Sequence, residues 1–119
     1  GSVVKIKEGL VSIPQVISAS DVIILPQRTG HGTTIPPISV LEVLASNAPL
    51  ITTDIVGNRE IVKGSDIVVQ PERPDELTKA IEKTLWGKSK MKRSFDSRPF
   101  ELKTVAQKYY GIYQVLVKQ

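Results

Sequence analysis

Apolar residues in this chain come in two arrangements. Short runs rich in Val and Ile stand at Val3 to Lys7, Val22 to Pro26, Leu50 to Thr53 and Ile67 to Val69. The last three are nearly continuous, as strands buried on both faces require. Between the runs lie longer stretches whose apolar positions recur every three or four residues, the period of an amphipathic helix. These predict helices at Pro14 to Ser20, from about Pro36 to Asn47, and, more briefly, at Asn58 to Lys63. A further helix is predicted over Pro74 to Trp86, where Pro74 suits a first helical position. Leu77, Ala80, Ile81 and Leu85 share one of its faces, and Gly87 ends it. The last helix begins near Pro99. Leu102, Val105, Ala106, Tyr109, Ile112, Tyr113, Leu116 and Val117 form its apolar stripe, which we read as a packing face for the sheet and for a partner domain. Strands alternating with helices specify a three-layer α/β/α domain around a parallel sheet, here of four strands.

Composition limits what this domain can be. With 119 residues, 40% hydrophobic and 24% charged, the chain suits one domain over residues 1–119. It has no Cys and one His, which excludes a disulfide framework, a thiol nucleophile and a His-rich metal centre. No run approaches the roughly 20 apolar residues of a membrane-spanning helix, and no secretory signal opens the chain. The expected location is cytoplasmic. Gly1-Ser2 stands in place of an initiator Met and reads as the remnant of a cut tag, so the chain reads as a piece of a longer protein.

Charge is unevenly spread. Residues 1–86 carry 8 basic and 10 acidic side chains, whereas residues 87–119 carry 8 basic and 2 acidic. The basic density peaks at Lys88, Lys90, Lys92 and Arg93, inside a connector over residues 87–98 that lacks apolar period and precedes the closing helix over 99–119. Such a connector is a solvated link between helices or a contact for phosphate or the anionic cytoplasmic face of a membrane. No aromatic interleaving or known module accompanies it, so no nucleic-acid partner is expected.

The chemistry concentrates after the second predicted strand. There Pro26 closes a buried run, the loop Gln27-Arg28-Thr29-Gly30-His31-Gly32-Thr33-Thr34-Ile35 follows, and a helix starts near Pro36 or Pro37, with Thr33 or Thr34 as candidate caps. A helix N-terminus at the carboxyl edge of a parallel sheet offers free N–H groups and a positive dipole end to an anion. Gly30 and Gly32 would let a phosphate approach the backbone, and Arg28 adds a positive charge. The other reading of the same glycines is a turn without a ligand. Glu42 sits among Val40, Leu41, Val43, Leu44 and Ala45, so it is expected to be buried and to need a partner. That partner is either the sugar hydroxyls of a bound nucleotide or a structural donor, a backbone N–H or Arg59.

Two other readings of these residues fail on spacing. Gly30-His31-Gly32-Thr33-Thr34-Ile35 imitates a dinucleotide fingerprint with Asp54 as its ribose acid, but Ile35 stands where a small residue is needed and two Pro follow. A receiver-like regulatory module needs paired acids near its first strand, and none occurs. A non-catalytic α/β nucleotide-binding or regulatory domain, with the basic connector as its interaction loop, remains the alternative from another class.

Four segments, in order, resemble the nucleotide-binding half of retaining GT-B glycosyltransferases, the large family of mannosyl- and glucosyltransferases known as glycosyl transferases group 1. They are Ile17-Ser18-Ala19-Ser20-Asp21-Val22-Ile23-Ile24-Leu25-Pro26, the run from Pro37 through Leu41-Glu42 to Asp54, Val56-Gly57-Asn58-Arg59-Glu60-Ile61-Val62, and Val69 to Leu77. The likeness covers residues from about 13 to 86. It implies a Rossmann-like half of a GT-B fold, truncated at its N-terminal side, that belongs to the C-terminal nucleotide-sugar-binding domain of a hexosyltransferase. It also implies metal-independent transfer with retention, no cofactor, and a UDP- or GDP-linked sugar as the donor. The acceptor would bind a missing N-terminal domain of the same protein, so the piece alone would be inactive. The resemblance assigns the donor's diphosphate to Gly32, Thr33 and Thr34 and its ribose to Glu42. It departs from the family at Thr34, where many members carry a Glu near the donor sugar; some carry a Gly-x-Gly loop instead, which Gly30-His31-Gly32 matches. No catalytic residue is assigned, and His31, on the nucleotide side, is not cast as one.

Overall fold

A computed structural model of the protein describes residues 4–9, 12–32, 34–63, 67–87 and 95–118. Its centre is a parallel sheet of three strands, β1 (Ile23–Leu25), β2 (Leu50–Thr53) and β3 (Ile67–Val69), in the order β1-β2-β3. The register pairs Ile24 with Ile51 and Ile51 with Ile67. β2, the central strand, is buried along its whole length.

Side chains alternate across a strand, so the sheet has two apolar faces. On one face Leu50, Ile23, Leu25 and Val68 meet Ile17 of α1 (Ile13–Ser18) and Val40, Val43 and Leu44 of α2 (Ile38–Ser46). On the other, Ile51, Ile67 and Val69 meet Leu77, Ala80 and Ile81 of α4 (Pro74–Trp86). Helices on both faces of a parallel sheet make the three layers that the alternating pattern predicts. The short α3 (Asn58–Ile61) links β2 to β3.

Local chemistry sets the helix ends. α1 carries Pro14 in its first turn and stops where the Ser18 hydroxyl bonds back to the Pro14 carbonyl at 2.9 Å. α2 ends on Asn47, whose φ of 60° is the left-handed cap that asparagine tolerates. α4 has Pro74, Asp75 and Glu76 at its positive end and Lys83 in its last turn, each on the favourable side of the helix dipole.

Three expectations need correction. Residues 4–8 form no strand and are exposed, Val4 by 86% and Ile6 by 83%, so the sheet has three strands among the described residues rather than four, Val3 of the expected strand lying outside them. A β-branched run becomes a strand only where another strand completes its ladder, and no described strand takes up this segment. α5 (Leu102–Val117), entered through a short 3-10 turn at Arg98–Phe100, contributes no buried residue and does not lie on the sheet. The apolar face of the sheet that carries β1 is already covered by α1, α2, Ile61 and Phe95, so the stripe of α5 is left exposed. The expected burial of Glu42 fails as well: Val40, Val43 and Leu44 turn inward, and Glu42 is exposed. A nine-residue helix resting on one sheet buries one stripe, so apolar neighbours in sequence need not surround a side chain in space.

Candidate functional site

The site grows from the carboxyl edge of the sheet, where the loops after β1, β2 and β3 emerge together. A buried polar network holds these strand ends. The Thr52 hydroxyl donates to the Leu25 carbonyl at 3.0 Å, and the Thr53 hydroxyl donates to the Gln27 carbonyl. Asn58, fully buried, donates its amide to Thr52 Oγ1 at 3.1 Å and to the Thr53 carbonyl at 2.9 Å. β1, β2 and α3 are thus tied together where the glycine-rich loop begins. Two side-chain oxygens nearby, Gln27 Oε1 and Asn58 Oδ1, are buried without a partner among the described residues.

The loop itself runs over the surface to α2. Gly32 has φ of 76°, a conformation that favours glycine, and a Cβ there would meet nothing within 4 Å. Gly30 likewise faces open space. Gly57, in the turn after β2, is the glycine that packing demands: its φ is 91°, and a Cβ would lie 2.9 Å from Ile35 Cγ2 and 3.3 Å from Pro36 Cα. That contact seats the end of the loop against the β2–α3 turn. The Ile35–Pro36 peptide is cis.

The α2 N-terminus differs from the sequence expectation in one respect. Its cap position is Pro37, which supplies no side-chain acceptor, and the Thr34 hydroxyl donates instead to the Pro36 carbonyl at 2.9 Å. Thr33 lies outside the described residues. The Val40 and Leu41 amides both turn back to the Pro37 carbonyl, at 3.1 and 3.3 Å. The Ile38 and Ser39 amides find no acceptor among the described residues, so two donors at the positive end of a helix stand open.

The cations at this edge are engaged. Arg28 donates through Nε (3.0 Å) and Nη2 (2.7 Å) to Glu72 Oε1 in the β3–α4 turn. Arg59 meets Asp54 at 2.7 Å and so is not the structural partner considered for Glu42. Arg73 holds Asp75 at 2.8 Å and Glu76 at 3.4 Å. The guanidinium of Arg73, hydrogen-bonded to the Asp75 carboxylate, lowers that carboxyl to about 2. His31 is exposed, its amide reaching Thr29 Oγ1 at 3.4 Å.

Glu42 is exposed on α2. It lines a cavity of about 270 Å³ with Ile38, Leu41 and Ala45 of its own helix and Phe95, Ser97, Phe100 and Glu101 of the segment that leads into α5. The structure therefore ties Thr34 to Pro36 just before α2, leaves Gly30 and Gly32 in the exposed loop, sends Arg28 across to the β3–α4 turn, and puts Glu42 along the flank of α2. Lys88, Lys90, Lys92 and Arg93 lie outside the described residues.

Free amides at the start of α2 were expected from the sequence, whereas sequence reasoning missed the Arg28–Glu72 pair and the network around Asn58. The network had a visible sign: two hydroxyl residues, Thr52 and Thr53, end an otherwise apolar buried strand. Among the described residues no three acidic or His side chains gather as a metal site, and no helix is long and apolar enough to cross a membrane.

A parallel sheet between helix layers, with a glycine-rich loop leading to an open helix N-terminus at its carboxyl edge, defines a Rossmann-like α/β domain. The chain belongs to the glycosyl transferases group 1 family, whose model matches residues 3–86. It is thus a glycosyltransferase domain. No curated protein and no solved structure matches it significantly.

Proposed function

We propose that this domain binds a nucleotide-sugar donor, UDP- or GDP-linked, for metal-independent transfer of a hexosyl group with retention of configuration. It would serve as the C-terminal nucleotide-binding domain of a GT-B enzyme in the cytoplasm, with the acceptor held by an N-terminal domain of the same protein. The observation that carries this reading is the mouth of α2. The Ile38 and Ser39 amides are open at a helix N-terminus directly after Gly30 and Gly32, in a domain of a glycosyltransferase family.

The chemistry follows from what leaves. Breaking the bond between the sugar's anomeric carbon and the diphosphate develops negative charge on the phosphate oxygens. Donors already aimed at that charge lower the barrier more than groups that must reorganise. The two amides and the dipole of α2 supply such donors, and Gly30 and Gly32 leave the backbone open to a phosphate. Thr33 and Thr34 would add hydroxyl contacts and Arg28 a cation, once it leaves Glu72. Glu42, exposed on the α2 flank, would accept hydrogen bonds from the ribose hydroxyls. The basic connector would meet the anionic face of a membrane, and the domain alone would turn over no donor because half of the cleft belongs to the other domain.

Amide NMR titration with UDP, GDP and ADP in turn tests the reading. Shifts centred on Gly30, Gly32, Ile38 and Ser39, with a second group at Glu42, are expected for one nucleotide over the others. Shifts confined to other parts of the surface, or none with any nucleotide, would refute it. Turnover of a nucleotide sugar by the domain alone would refute the need for a second domain.

A further inference from the structure

Among the described residues, two that are not glycine hold a left-handed backbone, Asn47 and Glu72. Asn47 has a local reason, since it caps α2. Glu72, at φ of 59°, follows Pro71 in the exposed turn between β3 and α4, a place more often filled by glycine. What its position achieves is reach. Its carboxylate extends to Arg28, 44 residues away in sequence, and the pair joins the loop of edge strand β1 to the turn after β3, on the far side of central β2. Arg28 is the only Arg or Lys between Pro26 and Pro37, so this contact occupies the full positive charge of the glycine-rich loop.

The geometry of the contact is that of a replaceable ligand. Both guanidinium donors converge on a single oxygen, Oε1, rather than spreading over two as in a bidentate fork. Both side chains are largely in solvent, Arg28 by 80% and Glu72 by 64%. Solvent-exposed pairs of this kind are weak and salt-sensitive. A diphosphate carries more charge than one carboxylate and would also gain the open amides at Ile38 and Ser39.

We propose that Glu72 is a positioning residue that sets the loop's affinity for the donor's diphosphate by holding Arg28, an internal anion that the donor displaces. This rests on the nucleotide-sugar reading above. It makes Glu72 a brake on binding, the reverse of what an acid near a nucleotide site would do by accepting sugar hydroxyls.

Calorimetric or NMR titration of the wild-type chain, Glu72→Gln, Arg28→Gln and the double variant decides it, with UDP and GDP, the matching monophosphates and the nucleosides at low and high salt. Glu72→Gln keeps side-chain size and the left-handed backbone and removes only the charge. It is expected to tighten diphosphate binding about twofold to fivefold at low salt, the range set by the strength of exposed ion pairs. Nucleoside affinity should not change, and the gain should shrink as salt rises. Arg28→Gln should weaken diphosphate binding, and the double variant should behave as Arg28→Gln alone. Glu72→Gly, which also relaxes the backbone, should tighten binding as Glu72→Gln does. Unchanged or weaker diphosphate binding in Glu72→Gln, or equal tightening in the absence of Arg28, would overturn the proposal while leaving the nucleotide reading intact. Absence of nucleotide binding in all four proteins would overturn both.

Discussion

Asn58 is the most informative residue to change, because two substitutions, one that removes the side chain's polar end and one that keeps its shape, should behave differently and in a pH-dependent way. Its side chain is fully buried and gives two hydrogen bonds, to Thr52 Oγ1 and to the Thr53 carbonyl. Asn58→Ala removes both. The acceptors are not stranded: the Thr53 carbonyl keeps the Ile55 amide at 2.9 Å, and the Thr52 hydroxyl keeps its own donation to Leu25. The loss is therefore two net hydrogen bonds of about 1 kcal/mol each, plus a small cavity, less the relief of removing the unpaired Oδ1. We expect about 2–3 kcal/mol, a large share of the 5–15 kcal/mol typical of a domain.

Asn58→Asp keeps the shape but turns a donor into a carboxylate facing the Thr53 carbonyl. A buried charge without a partner costs about 3–5 kcal/mol, so at neutral pH this variant should be less stable than Asn58→Ala. The order then reverses in acid. Burial raises the folded-state pKa of that carboxyl above its unfolded value of about 3.9, so the folded state binds the proton more readily and stability falls as pH rises through the raised value. Lowering the pH should therefore restore Asn58→Asp, whose protonated form can donate again, and should leave Asn58→Ala comparatively unmoved. Urea unfolding followed by far-UV circular dichroism at pH 7 and near pH 4.5 measures both. Equal stability of the two variants at pH 7, or an Asn58→Asp protein indifferent to pH, would show that this amide is not a buried donor and that the strand ends are held otherwise.

Two further outcomes are expected. Gly57→Ala forces an L residue to φ of 91° and drives its Cβ against Ile35 and Pro36. It should cost about 1–3 kcal/mol in urea unfolding and shift the Ile38 and Ser39 amide resonances, whereas a neutral effect on both would deny the close approach. Asp75 should titrate near pH 2 by carboxyl-carbon NMR, and Arg73→Gln should return it toward 3.8. Since the folded value is the depressed one, whatever this exposed pair contributes is present above the unfolded value and is lost as pH falls toward 2; a midpoint unmoved by Arg73→Gln would assign the shift to the helix dipole instead.

The chain's own pattern settled the layers of this domain. Val22 to Pro26, Leu50 to Thr53 and Ile67 to Val69 are apolar on both faces, and only a sheet covered on both sides can use such runs, so the parallel sheet and its flanking helices were legible. Pro74 and Gly87 marked α4 to the residue, and the loop between Pro26 and Pro37 announced an irregular segment at the carboxyl edge. These are local properties: a period, a cap, a breaker. What the tertiary structure alone decided depends on who meets whom. Val4 to Lys7 has strand composition but no neighbouring strand among the described residues, and the stripe of α5 is left mostly exposed because other elements already cover the sheet. Glu42 lies outside the core because α2 rests on one surface and not two. Arg28 is joined to Glu72 across the central strand, and Asn58 donates to the residues that close β2, contacts that sequence distance hides. Period and composition fix which side chains seek burial or a partner; only the packed chain fixes which ones find it, because each partner is claimed in competition with the rest of the molecule.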